Sequence, residues 1–421
     1  MATAALSDDC RERSTCRMCD SARLDRVIEL TPTPPGNNFL RSDELTDPEP
    51  VYPIVVNFCG DCYHLQLGHV VKPSILFRKN YSYASGTSPV FVKHLGDYAR
   101  DMVTRFGLQP NSLVADIGSN DGTCLRFFKE AGCRVLGIDP ASDLAHQATA
   151  EGIETLAEFF DAPCARKLRE QYGPASFITS HNACAHIDDL GSVMEGIHHW
   201  LADDGLVGIE VGYLLDVYQN VWFDTIYHEH VDFHSVAPFD KFFSRHGLEL
   251  IAAERVAPQG GSIRLIAQKA GGKRTRDTSV DALIALEREA GLQDAKSFHA
   301  FNARINDVKR ELSTIVRGLK AQGKTIAAFG APTKSTTLLT HFELGEGILD
   351  FIVDDSPLKQ GMFSPLFHIP ILPAAAIYER KPDYLLLLAW NFAEPIMKNH
   401  ARYREAGGRF ILPMPSARVA E

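Results

Sequence analysis

The sequence predicts an α/β protein in three parts: a four-cysteine module in front of two Rossmann-like domains. Three observations predict it. Two C-x-x-C pairs stand within the first 62 residues. A strand, a glycine turn, a helix and a second strand ending in an acid follow in order over 112–139. A strand running into another glycine turn recurs at 324–335. A chain of 421 residues is too long for one compact core, so two or three domains are expected. The boundaries are expected at 1–75, 76–275 and 276–421.

The first unit rests on Cys16-Arg-Met-Cys19 and Cys59-Gly-Asp-Cys62. A C-x-x-C turn points two sulfurs at one ion, and Zn²⁺ favours four thiolates in a tetrahedron. Four thiolates leave no open position, so the zinc is structural. His64 and His69 lie nearby but are not needed. The segment 20–58 must hold a strand pair or an extended loop, and Thr31-Pro-Thr-Pro-Pro-Gly36 suggests irregular chain. Of the nine cysteines, Cys124, Cys133, Cys164 and Cys184 read as small core residues, and Cys10 falls in a polar, mobile tail.

The second unit begins with the apolar run 112–117, which ends in Asp116-Ile-Gly-Ser-Asn-Asp-Gly122. A helix over 123–131 and a strand over 134–139 follow, closing on Asp139. Gly118 and its neighbours Ser119 and Asn120 let backbone approach a ligand closely, and Asp139 can accept both hydroxyls of a ribose. A dinucleotide site wants G-x-G-x-x-G, which is absent. Asp116 and Asp121 would repel a pyrophosphate but suit the sulfonium and ammonium groups of S-adenosylmethionine. The turn resembles motif I of class I methyltransferases. The run 175–182 reads as a further strand whose end, at Asn182, lies over the same cofactor. Glu158-Phe159-Phe160 stands either in an adenine-contacting loop or on an amphipathic helix.

After the buried-strand pattern 207–211 comes Tyr227-His228-Glu229-His230, with Tyr213, His234 and His186 elsewhere nearby in sequence. Buried polar atoms need partners, so this cluster is either a solvated loop or a site at the carboxyl end of a sheet.

The third unit follows a polar stretch at 271–278. Helices are expected over 279–292 and 295–322, and strands over 324–330, 349–354 and 383–389. Lys334 and Ser335 stand beside a helix N-terminus, a combination that suits phosphate, although the P-loop spacing is absent. The other reading is a structural domain that binds nothing.

Composition excludes some partners. The chain is 45% hydrophobic and 23% charged, ordinary for a globular protein. Its net charge of −10 argues against a general grip on nucleic acid. No run of 18 apolar residues predicts a membrane span, and 1–13 lack the apolar stretch of a secretory signal, so a cytoplasmic protein is expected.

Taken in order, these features resemble the nucleotide-sugar C-methyltransferases that build branched deoxysugars, typified by dTDP-hexose 3-C-methyltransferases. The resemblance spans almost the whole chain. It rests on the four cysteines, Tyr81-Ser-Tyr83-Ala-Ser-Gly-Thr-Ser88, the 116–122 turn, His181-Asn-Ala-Cys-Ala-His-Ile187, the 227–230 cluster, Gly260-Gly-Ser-Ile-Arg264 and Gly330-Ala-Pro-Thr-Lys-Ser335. It implies C-methylation of a nucleoside-diphosphate 4-keto-6-deoxysugar, a dTDP-sugar, through an enolate, at carbon 3, the commonest outcome in the family, or at carbon 5, as in some relatives. His230 then resembles the base, its imidazole near the usual pKa, with Glu229 supporting it. Tyr227 and His186 resemble donors to the enolate oxygen, and His228 points elsewhere. Tyr81 or Tyr83 touches the sugar, and Lys334 and Ser335 hold the diphosphate, although Pro332 removes one N–H from that turn. Gln259-Gly-Gly-Ser262 either lines the cleft or forms a simple turn. A monomer is expected, with a dimer as the alternative. The competing functions are O- or N-methylation, or a zinc-ribbon binding protein with an inactive methyltransferase-like domain.

Overall fold

The computed structural model describes residues 9–76, 85–345 and 347–420. The N-terminal unit is a short antiparallel sheet. Leu24–Thr33 and Tyr52–Cys59 form its strand pair, and Leu65–Leu67 adds a third strand. The 31–36 run stays in the sheet through Thr33, with a register shift between Leu30 and Thr33, and the chain turns only at Gly36-Asn37. Cys10 departs from the tail its sequence suggests. Strand Cys10–Glu12 pairs with His69–Val71, which buries the thiol against Tyr52, Val71 and Leu76. The partner of Cys10, Val71, lies 61 positions away, beyond the reach of local pattern.

The fourth strand of this sheet, Asp232–Phe233, comes from the central domain and pairs with Leu65–Leu67. It begins two residues after His230. Leu67 N donates to Val231 O (2.8 Å), and Val231 N donates to Ala185 O (2.8 Å). One residue therefore ties the zinc module to the turn that carries His186.

The central domain is a seven-stranded sheet. Leu201–Gly212, Ala175–His181, Leu113–Ile117, Arg134–Ile138 and Thr155–Leu156 run parallel in that spatial order, and the hairpin Leu248–Val256/Ser262–Lys269 closes one edge antiparallel. The chain moves outward from Leu113–Ile117 to one side, then crosses to Ala175–His181 on the other. The reversal leaves a crevice at the carboxyl ends of those two strands, where such sheets bind ligands.

The C-terminal domain has six strands, ordered Ile371–Leu372, Ile352–Val353, Ile326–Phe329, Tyr384–Leu387, Arg409–Leu412 and Arg418–Val419, with only the last antiparallel. Before it runs the helix Ala295–Ala321, capped by Asp294. Phe298, Phe301, Ile305, Val308, Leu312 and Val316 repeat every three or four residues and make its buried stripe. Phe298 meets Phe58 of the zinc module at 5.4 Å between ring centroids. The preceding helix, Thr278–Glu289, packs on the central domain. Its Glu287 accepts from Val236 N (2.6 Å), Ala237 N (3.0 Å) and the Tyr213 hydroxyl (3.0 Å). No described helix is long and apolar enough to cross a membrane.

Candidate active site

The four cysteines meet as their spacing requires. Cys16 and Cys62 sulfurs lie 3.5 Å apart, as do Cys19 and Cys59, and all four fall within 4.8 Å of one another. The residue after each pair, Asp20 and Tyr63, adopts positive φ, which curls the backbone around the sulfurs. The donor set fits a closed tetrahedral zinc. His64 is engaged elsewhere, 2.6 Å from Asp232.

The glycine turn shapes the cofactor crevice. Gly118 has φ +75°, and a Cβ there would fall 2.6 Å from the Ala183 side chain. Asp139 is held by two amides, Asn120 N to Oδ2 and Ala141 N to Oδ1, each 2.8 Å. Asp116 is buried with Oδ1 unpartnered among the described residues, and the Ser119 hydroxyl is likewise orphaned. Burial, then the charge of Asp139, pushes the Asp116 carboxyl well above the usual range. An orphaned acid in a glycine-lined crevice fits a ligand bearing positive charge, as S-adenosylmethionine does. Asn182 holds φ +59° and donates its N–H to Glu210 O (2.7 Å).

Two expectations change here. Asp121 is committed to Thr123 N, Thr123 Oγ1 and Gly86 N rather than to a ligand cation. The Asn120 amide oxygen accepts from Ser85 N (2.9 Å). These contacts latch the 85–87 turn onto the cofactor loop. Sequence reasoning placed His181 in a motif but gave it no role, yet it lines the same crevice with Asp116 and Cys124. Both its ring nitrogens are unpartnered among the described residues, and its ring stands edge-on to Tyr98 at 4.6 Å. Its place at the end of a predicted strand was the available signal. Glu158 lies in a loop, with the Cys164 thiol 3.8 Å from its carboxylate.

The 227–230 cluster forms a tight turn, closed by His230 N to Tyr227 O (2.9 Å). Tyr227 Oη lies 2.8 Å from His230 Nε2, and His230 Nδ1 lies 2.8 Å from Thr225 O. A carbonyl only accepts, so Nδ1 carries the ring proton and Nε2 accepts from the phenol. His186 stands edge-on to His230, ring centroids 5.0 Å apart. Burial pushes His230 down to about 4 and His186 to about 3. This corrects the expectation of a near-normal imidazole pKa: the turn packs under the zinc module, and desolvation disfavours the cation.

Glu229 takes a partner from the zinc module. Its Oε1 accepts from Asn37 Nδ2 (3.3 Å). It is 4% exposed, and burial pushes its carboxyl up to about 7 against the opposing pull of that hydrogen bond. His228 turns into the zinc module, 3.2 Å from Tyr52 O.

In the C-terminal domain the strand Ile326–Phe329 ends at Gly330, φ +90°. Lys334 Nζ donates to Asn391 Oδ1 (3.0 Å) and lies 3.4 Å from the Trp390 ring centroid. Burial lowers it to about 8, with Asp224 pulling the other way. Ser335 is buried and gives its hydroxyl proton to Pro332 O (2.7 Å), so it closes the turn and offers a ligand only lone pairs. Lys359, which no motif flagged, donates to Ala331 O (2.7 Å) in the same turn. The 258–262 turn packs Gly260 on Trp222, which in turn tilts against Trp390 with centroids 5.0 Å apart. Tyr81 and Tyr83 lie outside the described residues.

The glycine-lined crevice with its orphaned acid has the chemistry a methyltransferase using S-adenosylmethionine needs, and the matches of the chain show that class. Residues 16–77 match a family described as a zinc binding domain, 91–253 a methyltransferase domain and 257–415 a C-methyltransferase C-terminal domain. The chain is 35% identical over 414 residues to the C-methyltransferase NovU of Streptomyces niveus, covering 98% of each. It belongs to this C-methyltransferase family. Solved structures are more distantly similar. Magnesium protoporphyrin IX methyltransferase from Synechocystis is 15% identical, with 46% of this chain and 93% of that one covered at a TM-score of 0.35. An S-adenosylmethionine-dependent methyltransferase from Clostridium acetobutylicum is 12% identical, with 43% and 92% covered at 0.35.

Proposed function

We propose that the enzyme methylates a ring carbon of a nucleoside-diphosphate 4-keto-6-deoxysugar, a dTDP-sugar accepting at carbon 3, through an enolate. The observation that carries this reading is the 2.8 Å hydrogen bond between Tyr227 and the unprotonated nitrogen of His230. A methylated nitrogen or oxygen brings its own lone pair, whereas carbon must first lose a proton. The 4-keto group acidifies the neighbouring C–H.

The residues then divide the work. When the keto oxygen takes over the Tyr227 hydroxyl, Nε2 of His230 is released. The C–H bond breaks, its proton passes to Nε2, and its electron pair moves into the enolate. Tyr227 and His186 donate to the enolate oxygen as charge grows there. S-adenosylmethionine supplies an electrophilic methyl group and leaves as a neutral thioether. Asp116, Gly118, Ser119, Asn120, Asp139 and Asn182 orient it, and the enolate carbon forms the new C–C bond. Lys334 and the Ser335 turn receive the diphosphate, and Tyr81 or Tyr83 touches the sugar.

A second reading makes Glu229 the base. Its carboxyl, pushed up to about 7, is better matched to neutral pH than an imidazole near 4. One experiment separates them. The protein is incubated with a dTDP-4-keto-6-deoxysugar in D₂O without the methyl donor, and NMR follows deuterium entry at each ring carbon. Loss of exchange in His230→Asn with exchange kept in Glu229→Gln supports the first reading, and the reverse pattern supports the second. Methyl transfer without exchange by the unaltered protein would sink the enolate.

A further inference from the structure

The Glu229 carboxyl is the one acid of the turn, yet it has no bond to the His230 ring beside it. Its partner lies 192 positions earlier, in the zinc module. Asn37 Nδ2 donates to Glu229 Oε1 (3.3 Å), while Asn37 Oδ1 accepts from Thr333 Oγ1 (2.7 Å). The amide's orientation follows from chemistry, since an ionised carboxylate can only accept and a hydroxyl can donate. The Gly36-Asn37 turn is wedged in place. Thr336 Oγ1 donates to Gly36 O (3.1 Å), and a Cβ on Gly36 would fall 2.6 Å from Thr333. Thr333 stands next to Lys334 in the Gly-Ala-Pro-Thr turn of the C-terminal domain.

We propose that Asn37, a residue of the zinc module, is a positioning residue of the active site: it holds the Glu229 carboxyl and fixes it to the Thr333 hydroxyl of the C-terminal turn. All three domains then meet at one amide. No other common side chain of this length offers a donor and an acceptor in one plane. Aspartate would set a second carboxylate against Glu229, and alanine would leave the acid buried with no donor. A buried carboxyl stripped of its hydrogen bond holds its proton more tightly. Burial and Asn37 are the two influences that set the Glu229 carboxyl, so the effect of losing the amide is not masked by neighbouring charges. The functional part of this inference rests on Glu229 belonging to the methyl-transfer site.

The test uses the full-length, zinc-loaded protein. Asn37→Ala, Asn37→Asp and Thr333→Val are each checked for zinc content and melting temperature. Glutamate labelled with ¹³C at the carboxyl then reports the titration of Glu229, assigned by the signal lost in Glu229→Gln, with no substrate present. The midpoint, near 7 in the unaltered protein, should rise in Asn37→Ala and further in Asn37→Asp. Thr333→Val, which frees the amide while keeping it, should raise it less. Methyl transfer to a dTDP-4-keto-6-deoxysugar should show kcat lower by about ten-fold in Asn37→Ala with the KM for S-adenosylmethionine unchanged. In a Glu229→Gln background the same change should cost less than about two-fold, because the partner is already altered. An unmoved midpoint in a folded Asn37→Ala or Thr333→Val protein overturns the proposal. Full activity in Glu229→Gln would instead overturn the role given to Glu229, while the titration would still decide whether Asn37 holds it.

Discussion

Tyr227 gives its hydroxyl proton to His230 Nε2 across 2.8 Å, and the ring centroids stand 4.1 Å apart. In the proposed mechanism this phenol both masks the base and waits beside it for an oxygen. Tyr227→Phe should leave the fold and calorimetric S-adenosylmethionine affinity unchanged, because the ring is kept and Tyr227 is not among the residues lining the cofactor crevice. Methyl transfer should fall about 100-fold, the typical cost of one donor to a developing oxyanion. A rate within about two-fold of the parent would remove Tyr227 from the chemistry.

The zinc should matter to catalysis without touching a substrate. Cys62→Ser opens the tetrahedron, and structural zinc contributes on the order of 10 kcal/mol to small zinc modules. The Leu65–Leu67 strand begins three residues later and carries the Asp232–Phe233 strand. We expect zinc content to fall, melting to move down, and methyl transfer to disappear together. Full activity in a zinc-free variant would show that the turn is held by other contacts.

Gly118→Ala should weaken the cofactor site. The left-handed conformation and the Ala183 contact impose strain of about 1–3 kcal/mol, or about ten-fold in affinity for S-adenosylmethionine by calorimetry. Unchanged affinity would mean that the turn relaxes freely.

Acid should unfold the protein through its histidines. Burial lowers His181, His228 and His230 to about 4, and His186 and His234 to about 3. Each takes up its proton on unfolding below about 6.5. Their contribution is therefore complete above about 6.5 and is lost as pH falls toward 4, at about 1.4 kcal/mol per histidine for each pH unit crossed. Glu229 acts in the opposite sense between about 4.5 and 7, and burial raises Asp116, Asp139, Asp224 and Glu287 in that sense too, while His341, lowered to about 4, adds to the histidines. Melting temperature should drop steeply between pH 6.5 and 5, and His228→Gln, which is remote from the chemistry, should flatten the slope. A flat profile in the parent protein would refute this account.

Much of this architecture was legible because it is written in local signals. The cysteine turns, the strand and glycine turn at Asp116–Gly122 and the stripe from Phe298 to Val316 each declare themselves within a few residues. What escaped is long-range. Cys10 looked like tail because its partner Val71 lies far along the chain. Asn37 and Lys359 sit in loops with no periodicity, so only the fold brings them to Glu229 and Ala331. The depressed histidines were hidden too, since residue type states a pKa and burial changes it. Asp121 and Ser335 differ the other way: their polar groups bond to nearby backbone, Asp121 to Thr123 N and Gly86 N and Ser335 to Pro332 O.

The strand Asp232–Phe233 has a consequence for synthesis. As the chain leaves the ribosome, the cysteines through Cys62 and the strand Leu65–Leu67 emerge long before residue 232. At about 5–20 residues per second, that strand edge lacks its final neighbour for on the order of ten seconds or more. Metal capture can therefore precede completion of the sheet, and the nascent front of the protein must tolerate an open edge until its own later sequence arrives to cover it.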